Sequence, residues 1–155
     1  MNQNKKKTGF IKTYPITFLL IISNLFIYII QEVSGDSSNP VDLVKMGARY
    51  DIYVASGDWW RFITPNFLHI GFTHLLLNLA GLWIFGMLVE KDFSKSKYLL
   101  IYFFCGISSN VFSYSSGSWF CFTCGPVGAG ASGAIFGLLG AYASYLIVNK
   151  NVLGK

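Results

Sequence analysis

The sequence predicts an all-α fold, a polytopic bundle of membrane helices. Three observations carry that expectation. Hydrophobic residues make up 53% of the chain and charged residues only 12%, a balance that a water-soluble domain of 155 residues rarely shows. Residues 13–31 and 98–149 contain no Asp, Glu, Lys, Arg or His, and 62–89 contain only His69 and His74. The basic residues gather in short segments between these apolar runs. Since a membrane-spanning helix needs about 20 largely apolar residues, four spans are expected, over 14–30, 72–89, 98–114 and 129–148.

Taken in order, residues 1–13 read as a basic tail and 14–155 as one membrane domain. The first apolar run is short, and a tilt or a thin bilayer would accommodate it. Its core is too long for a cleaved signal peptide, and no small-x-small site follows Ile30. The longest polar connection, 32–71, opens on the turn-rich cluster 34–40 and closes on Asp58-Trp59-Trp60-Arg61-Phe62. The paired indoles suit a headgroup interface. Arg61 is expected to order this connection through carbonyl or carboxylate contacts. Glu90 closes the second span, where a carboxylate opposes its own helix dipole. It should therefore find a partner, either free N–H groups at a neighbouring helix start or a loop lysine. The uncharged loop 115–128 leads to the fourth span. There Gly133, Gly137, Ala141 and Ser144 form a small-residue stripe that lets helices approach closely.

Lysine and arginine placement gives an orientation. Lys5, Lys6, Lys7, Lys12, Lys91, Lys95, Lys97, Lys150 and Lys155 fall on one side, and Lys45, Arg49 and Arg61 on the other. The crowded side is expected to be cytoplasmic, with both ends of the chain inside and the plasma membrane as the location. The net charge of +5 then reflects topology and anionic headgroups. A nucleic-acid partner is not expected, because the basic residues are split among short loops. Cys121 and Cys124 have redox or half-zinc spacing without a second pair, so no metal or cofactor is expected. They read as small apolar loop residues.

Polar groups at membrane depth are costly and mark candidate sites. His74 and Asn78 lie at i and i+4 on one face of the second span, and Ser132 lies in the first turn of the fourth. At about 1.5 Å of rise per residue, all three fall within roughly 10 Å of the outer boundary of the apolar layer. An imidazole, a carboxamide and a hydroxyl suit acyl-transfer chemistry. Gly130 and Gly133 flank the serine and leave room for a substrate backbone, and the helix start offers free N–H donors to an oxyanion. His69 fits a supporting role at the edge of the loop. The spacing leaves two assignments for His74, a general base oriented by Asn78 or an oxyanion donor.

The pattern resembles the rhomboid family of intramembrane serine proteases over 59–148. Trp60-Arg61 is similar to the pair in that family's first outer loop, and His69-x4-His74-x3-Asn78 to its second-helix motif. Glu90 is similar to the glutamate ending that helix, and Gly130-Ala-Ser132-Gly133 to its nucleophile motif. The resemblance implies Ser132 as nucleophile, with His74, Asn78 and the Ser132 N–H holding the oxyanion. It also implies transmembrane protein substrates in the lipid bilayer.

The family has six core helices and a histidine base on the sixth, whereas this sequence holds four spans and only His69 and His74. The expected reading is a shortened form whose base lies beyond residue 155. Loss of the base would cost on the order of 10⁶ in turnover. The alternative is an inactive relative that binds membrane helices without cutting them. Retention of Ser132, His74 and Asn78 favours the protease. A transporter is disfavoured by the lack of charge within the spans.

Overall fold

The computed structural model describes residues 10–116 and 127–153. Within them the chain is helical almost throughout. A single turn, α1 (Phe10–Thr13), leads into α2 (Pro15–Ser34). The connection after α2, expected on the outer side and called the outer connection for that reason, carries α3 (Pro40–Lys45), β1 (Arg49–Tyr50), α4 (Asp51–Ala55) and two 3-10 turns, Trp59–Phe62 and Thr64–Phe67. The second span is α5 (Gly71–Gly81), a π turn (Leu82–Gly86) and α6 (Met87–Asp92) in one continuous run. Next come α7 (Lys95–Ser115), β2 (Val127–Gly128) and α8 (Ser132–Leu153). The expected all-α membrane bundle is what the chain forms, with one small exception. β1 and β2 pair antiparallel, Arg49 with Gly128 and Tyr50 with Val127, which ties the outer connection to the approach to α8.

Three helices are long and apolar enough to cross a membrane: Pro15–Ser34, Gly71–Asp92 and Ser132–Lys150. The third expected span, over 98–114, folds as a helix of 21 residues but is less apolar than the other three. Ser108, Ser109, Asn110 and Ser113 occupy its outer half, and several of them serve as packing or bonding groups. Only 28%, 28% and 17% of the three apolar windows is buried within the chain. Phe26, Leu77, Trp83, Phe104 and Phe136 are exposed, a display that water would not tolerate and lipid does.

Helix starts are accounted for donor by donor. Four N–H groups at an α-helix N-terminus lack intrahelical acceptors. In α2, Pro15 has no N–H to satisfy. The Ile16 and Thr17 N–H groups donate to Glu90 Oε1 and Oε2 at 2.7 and 2.8 Å. Phe18 then makes the first helical bond, to Tyr14. Of the two partners open to Glu90 from sequence, the structure supplies the helix start. The α2 run extends to Ser34, four residues past the expected end.

Between α7 and α8 the small residues interlock. A Cβ on Gly133 would fall 1.9 Å from Ser109 Oγ, and one on Gly137 2.3 Å from Cys105 Cβ. The pairing of 133 with 109 and 137 with 105 makes the helices antiparallel neighbours whose backbones nearly touch. The expected stripe does not continue to Ser144, which is exposed. Lower down, Tyr145 of α8 meets Phe93 at 5.4 Å between ring centroids.

Gly133→Ala should cost about 1–3 kcal/mol through overpacking, read as a lower unfolding temperature in detergent. Ser109→Gly in the same chain should recover most of the loss, because it removes the atoms in the way. Failure of that rescue would show that the two positions do not share the tight contact.

Candidate functional site

The segment before α5 sets the geometry of the site. His69 is fully buried, and Gly71, at φ +74°, turns the chain into α5. Ile70 is the helix N-cap and carries an apolar side chain that cannot cap. Its own N–H donates instead to His74 Nδ1 at 3.3 Å, one turn ahead. A side chain reaching back to the N-cap N–H is the second half of a capping box, here made by an imidazole. Asn78 follows one turn later, nearly buried, and its Nδ2 donates to the His74 carbonyl at 2.8 Å. Asn78 therefore does not orient the imidazole ring. Of its two amide protons, one remains for another acceptor.

Ser132 is the first residue of α8, which starts three residues later than the expected 129 and keeps the serine in its first turn. The Ile135 N–H bonds to the Ala131 carbonyl at 3.0 Å, so the Ser132, Gly133 and Ala134 N–H groups precede the helical ladder. The serine side chain is exposed to a cleft of about 370 Å³ between α5 and α8. His74, Asn78 and Ser132 are the polar side chains on its wall, among Leu77, Phe85, Ile135, Phe136 and Leu139. The three residues singled out from sequence thus share one apolar cleft. The groups there are a hydroxyl, an amide, an imidazole and backbone donors at a helix start, a set suited to acyl transfer.

Gly130 is held against the imidazole. Its φ of +127° favours glycine, and an added Cβ would lie 2.5 Å from His74 Cε1 and 2.8 Å from Nε2. The Gly130 N–H donates to the Pro65 carbonyl at 2.8 Å, which fixes the approach to Ser132. Gly133, by contrast, turns towards Ser109 of α7 and does not line the cleft. Its observed contact is a packing contact.

His69 stands edge-on to His74, with ring centroids 5.5 Å apart at 62°. Neither ring nitrogen has a side-chain hydrogen-bond partner, and the Phe67 backbone is the polar group beside the ring. Burial first, and the neighbouring His74 ring second, push its pKa down to about 4, so the ring is neutral at physiological pH. Arg61 is remote from the cleft. Its Nη1 donates to the Val44 and Ala48 carbonyls and its Nε to Asp58, each at 2.9 Å. The guanidinium also lies over the Trp60 ring at 4.4 Å, locking the outer connection into one shape. Glu90 acts at the opposite end, on α2. Cys121 and Cys124 lie outside the described residues.

Sequence reading passed over Gln31. Its amide Nε2 donates to the His69 carbonyl, and its Oε1 accepts from the His69 N–H, both at 3.0 Å. A signal was present: Thr17, Asn24 and Gln31 recur every seven residues along an otherwise apolar helix, and all three are buried. The Leu82–Gly86 π turn was also passed over. Such turns insert one residue into a helix and are frequent near functional sites.

Comparison with known proteins gives the family. The family model described as the Rhomboid domain matches residues 56–155. The chain is 39% identical over 136 residues to the rhomboid protease GluP of Bacillus subtilis, covering 88% of this chain and 25% of that protein. It is 33% identical over 146 residues to YdcA of the same bacterium, covering 94% of this chain and 70% of that one. With the rhomboid protease AarA of Providencia stuartii it shares 34% identity over 151 residues, covering 90% and 53%. The chain thus spans a quarter of GluP and about half of AarA. On the matched domain and the length of these alignments, it belongs to the rhomboid family.

Proposed function

We propose that the protein is an intramembrane serine endopeptidase that cleaves transmembrane segments of membrane proteins near the outer face of the plasma membrane. Ser132 is the nucleophile. His74, Asn78 and the Ser132 N–H stabilise the oxyanion of the tetrahedral intermediate, with Gly130, His69, Arg61 and Glu90 in supporting roles. The domain runs over 14–155 behind a basic tail, 1–13, with both ends of this chain cytoplasmic. No cofactor takes part.

One observation carries the assignment of His74. A base facing Ser132 through Nε2 needs that nitrogen unprotonated and a proton on Nδ1. Here Nδ1 accepts from the Ile70 N–H, so the neutral ring carries its proton on Nε2. That makes it a donor, which supports the oxyanion role over the base. The base then comes from outside these 155 residues, whose only histidines are His69 and His74. The matched relatives are longer than this chain. A binder that never cuts is the alternative reading, and it leaves the Ser132-lined cleft without a task.

The test is reaction of Ser132 with a fluorophosphonate probe in the full-length protein. Labelling should weaken in His74→Ala but persist, because the base lies elsewhere. Complete loss of labelling in a folded His74→Ala protein would make His74 the base. Labelling absent from the unsubstituted protein would favour the non-cutting reading.

Orientation is tested separately, by single cysteines at Ser38 and Ser96 in a background lacking Cys105, Cys121 and Cys124. Ser38 should react with an impermeant thiol reagent on intact cells, and Ser96 only after permeabilisation. The reverse pattern would put Ser132 near the cytoplasm.

A further inference from the structure

Gln31 and the site lie on different helices, 38 residues from His69 in sequence. The Gln31 side chain is 1% exposed near the outer end of α2, and both bonds of its amide go to the main chain of one residue. That reciprocal pair copies the way a neighbouring β-strand would hold His69. No such strand exists there among the described residues. Without Gln31, the buried His69 N–H and carbonyl would lose these partners at the edge of the apolar layer, which is costly.

Three links follow from that clamp. The peptide after His69 carries the Ile70 N–H, and this N–H bonds His74 Nδ1 at 3.3 Å. The His69 ring packs edge-on against the His74 ring, and its nitrogens bond no side chain. Its position is therefore set by packing and by the backbone that Gln31 holds. Gly130 also approaches the His74 ring closely and limits how far the ring can tilt.

We propose that Gln31 is a positioning residue for the site: its carboxamide clamps the His69 main chain, and this places the Ile70 N–H that holds His74 as an Nε2–H donor. The consequence for turnover rests on the oxyanion reading of His74 given above. The clamp itself does not, because the tautomer of His74 can be measured without any catalysis.

The experiment is nitrogen-15 NMR of the 155-residue chain labelled at histidine, in detergent micelles. The chain has only two histidines, and His74→Ala separates their signals. His74 should appear with a proton on Nε2 and none on Nδ1. In Gln31→Met, similar in length but unable to make either bond, His74 should become a mixture of the two tautomers. Gln31→Asn, one methylene too short to make both bonds, should give a smaller change in the same direction, and it serves if Gln31→Met does not fold. A purely structural role would lower thermal stability and leave the tautomer in place. An unchanged His74 tautomer in either folded variant overturns the proposal.

In the full-length protein the same substitutions should lower kcat on the order of 10-fold to 100-fold, as a misplaced group does, with little change in KM. A tautomer shift that leaves kcat untouched would keep the clamp and overturn the donor reading of His74.

Discussion

On the proposed assignment, in a form of the protein that carries the base, Ser132→Ala should abolish cleavage of a transmembrane reporter, and Asn78→Ala should lower turnover by roughly 10²–10³, the range for loss of one oxyanion donor. The two losses differ in kind. Without the hydroxyl there is no nucleophile, so no acyl-enzyme forms and the covalent route is closed. On the proposed assignment, Asn78→Ala leaves that route open and affects only charge that develops later. One of its amide protons is already held by the His74 carbonyl, so a single proton remains to meet the oxyanion. KM should move little in Asn78→Ala, because the donor acts in the transition state and not on bound substrate. Measurement of kcat and KM for the three proteins on one reporter checks this. Residual Ser132→Ala activity, or an Asn78→Ala effect confined to KM, would remove the respective residue from its role.

Glu90→Ala should cause a large loss of stability although the residue is only half-buried and outside the cleft. Its carboxylate takes the Ile16 and Thr17 N–H groups at 2.7 and 2.8 Å, and charge-assisted bonds of this kind contribute about 1.5–3 kcal/mol each. The site is only half-buried, which argues for the lower end of that range, about 3 kcal/mol for the pair. The same carboxylate sits unfavourably at the end of its own helix run, and the opposed dipole of the α2 start offsets that. Removing it leaves two helix-start donors unpaired and loosens α2 from α6. Because α2 also carries Gln31, the disturbance reaches the site from its far end. Glu90→Gln should retain one acceptor and about half the stability. Thermal unfolding in detergent orders the three proteins, and an unfolding temperature for Glu90→Ala equal to that of the parent would show that the contact contributes nothing.

Much of the fold was legible because the bilayer constrains sequence strongly. A run of apolar residues without charge can only be a helix there, since every backbone polar group must be satisfied internally. That reasoning placed the second and fourth spans to within a few residues. It stopped α2 at Ile30, because Gln31 and Glu32 read as an exit to water, whereas Gln31 is buried against His69 and the helix continues. The site was legible for a related reason. His74, Asn78 and Ser132 are polar residues in apolar helices at one depth, and the fold lines one cleft with all three.

What the sequence determined by itself was composition against depth: which segments are helical and apolar, and which polar residues lie among them. Tertiary structure decided which atom of each residue is used. Glu90 takes donors 73 and 74 residues away, Gln31 holds a backbone 38 residues away, and Gly133 meets Ser109 instead of the cleft. The choice of Nδ1 as the acceptor on His74 turns on where one N–H of the preceding loop is held. Hydropathy and helical period constrain only a residue's neighbours along the chain. A hydrogen bond is decided within a few tenths of an ångström by groups that only the packed helices bring together.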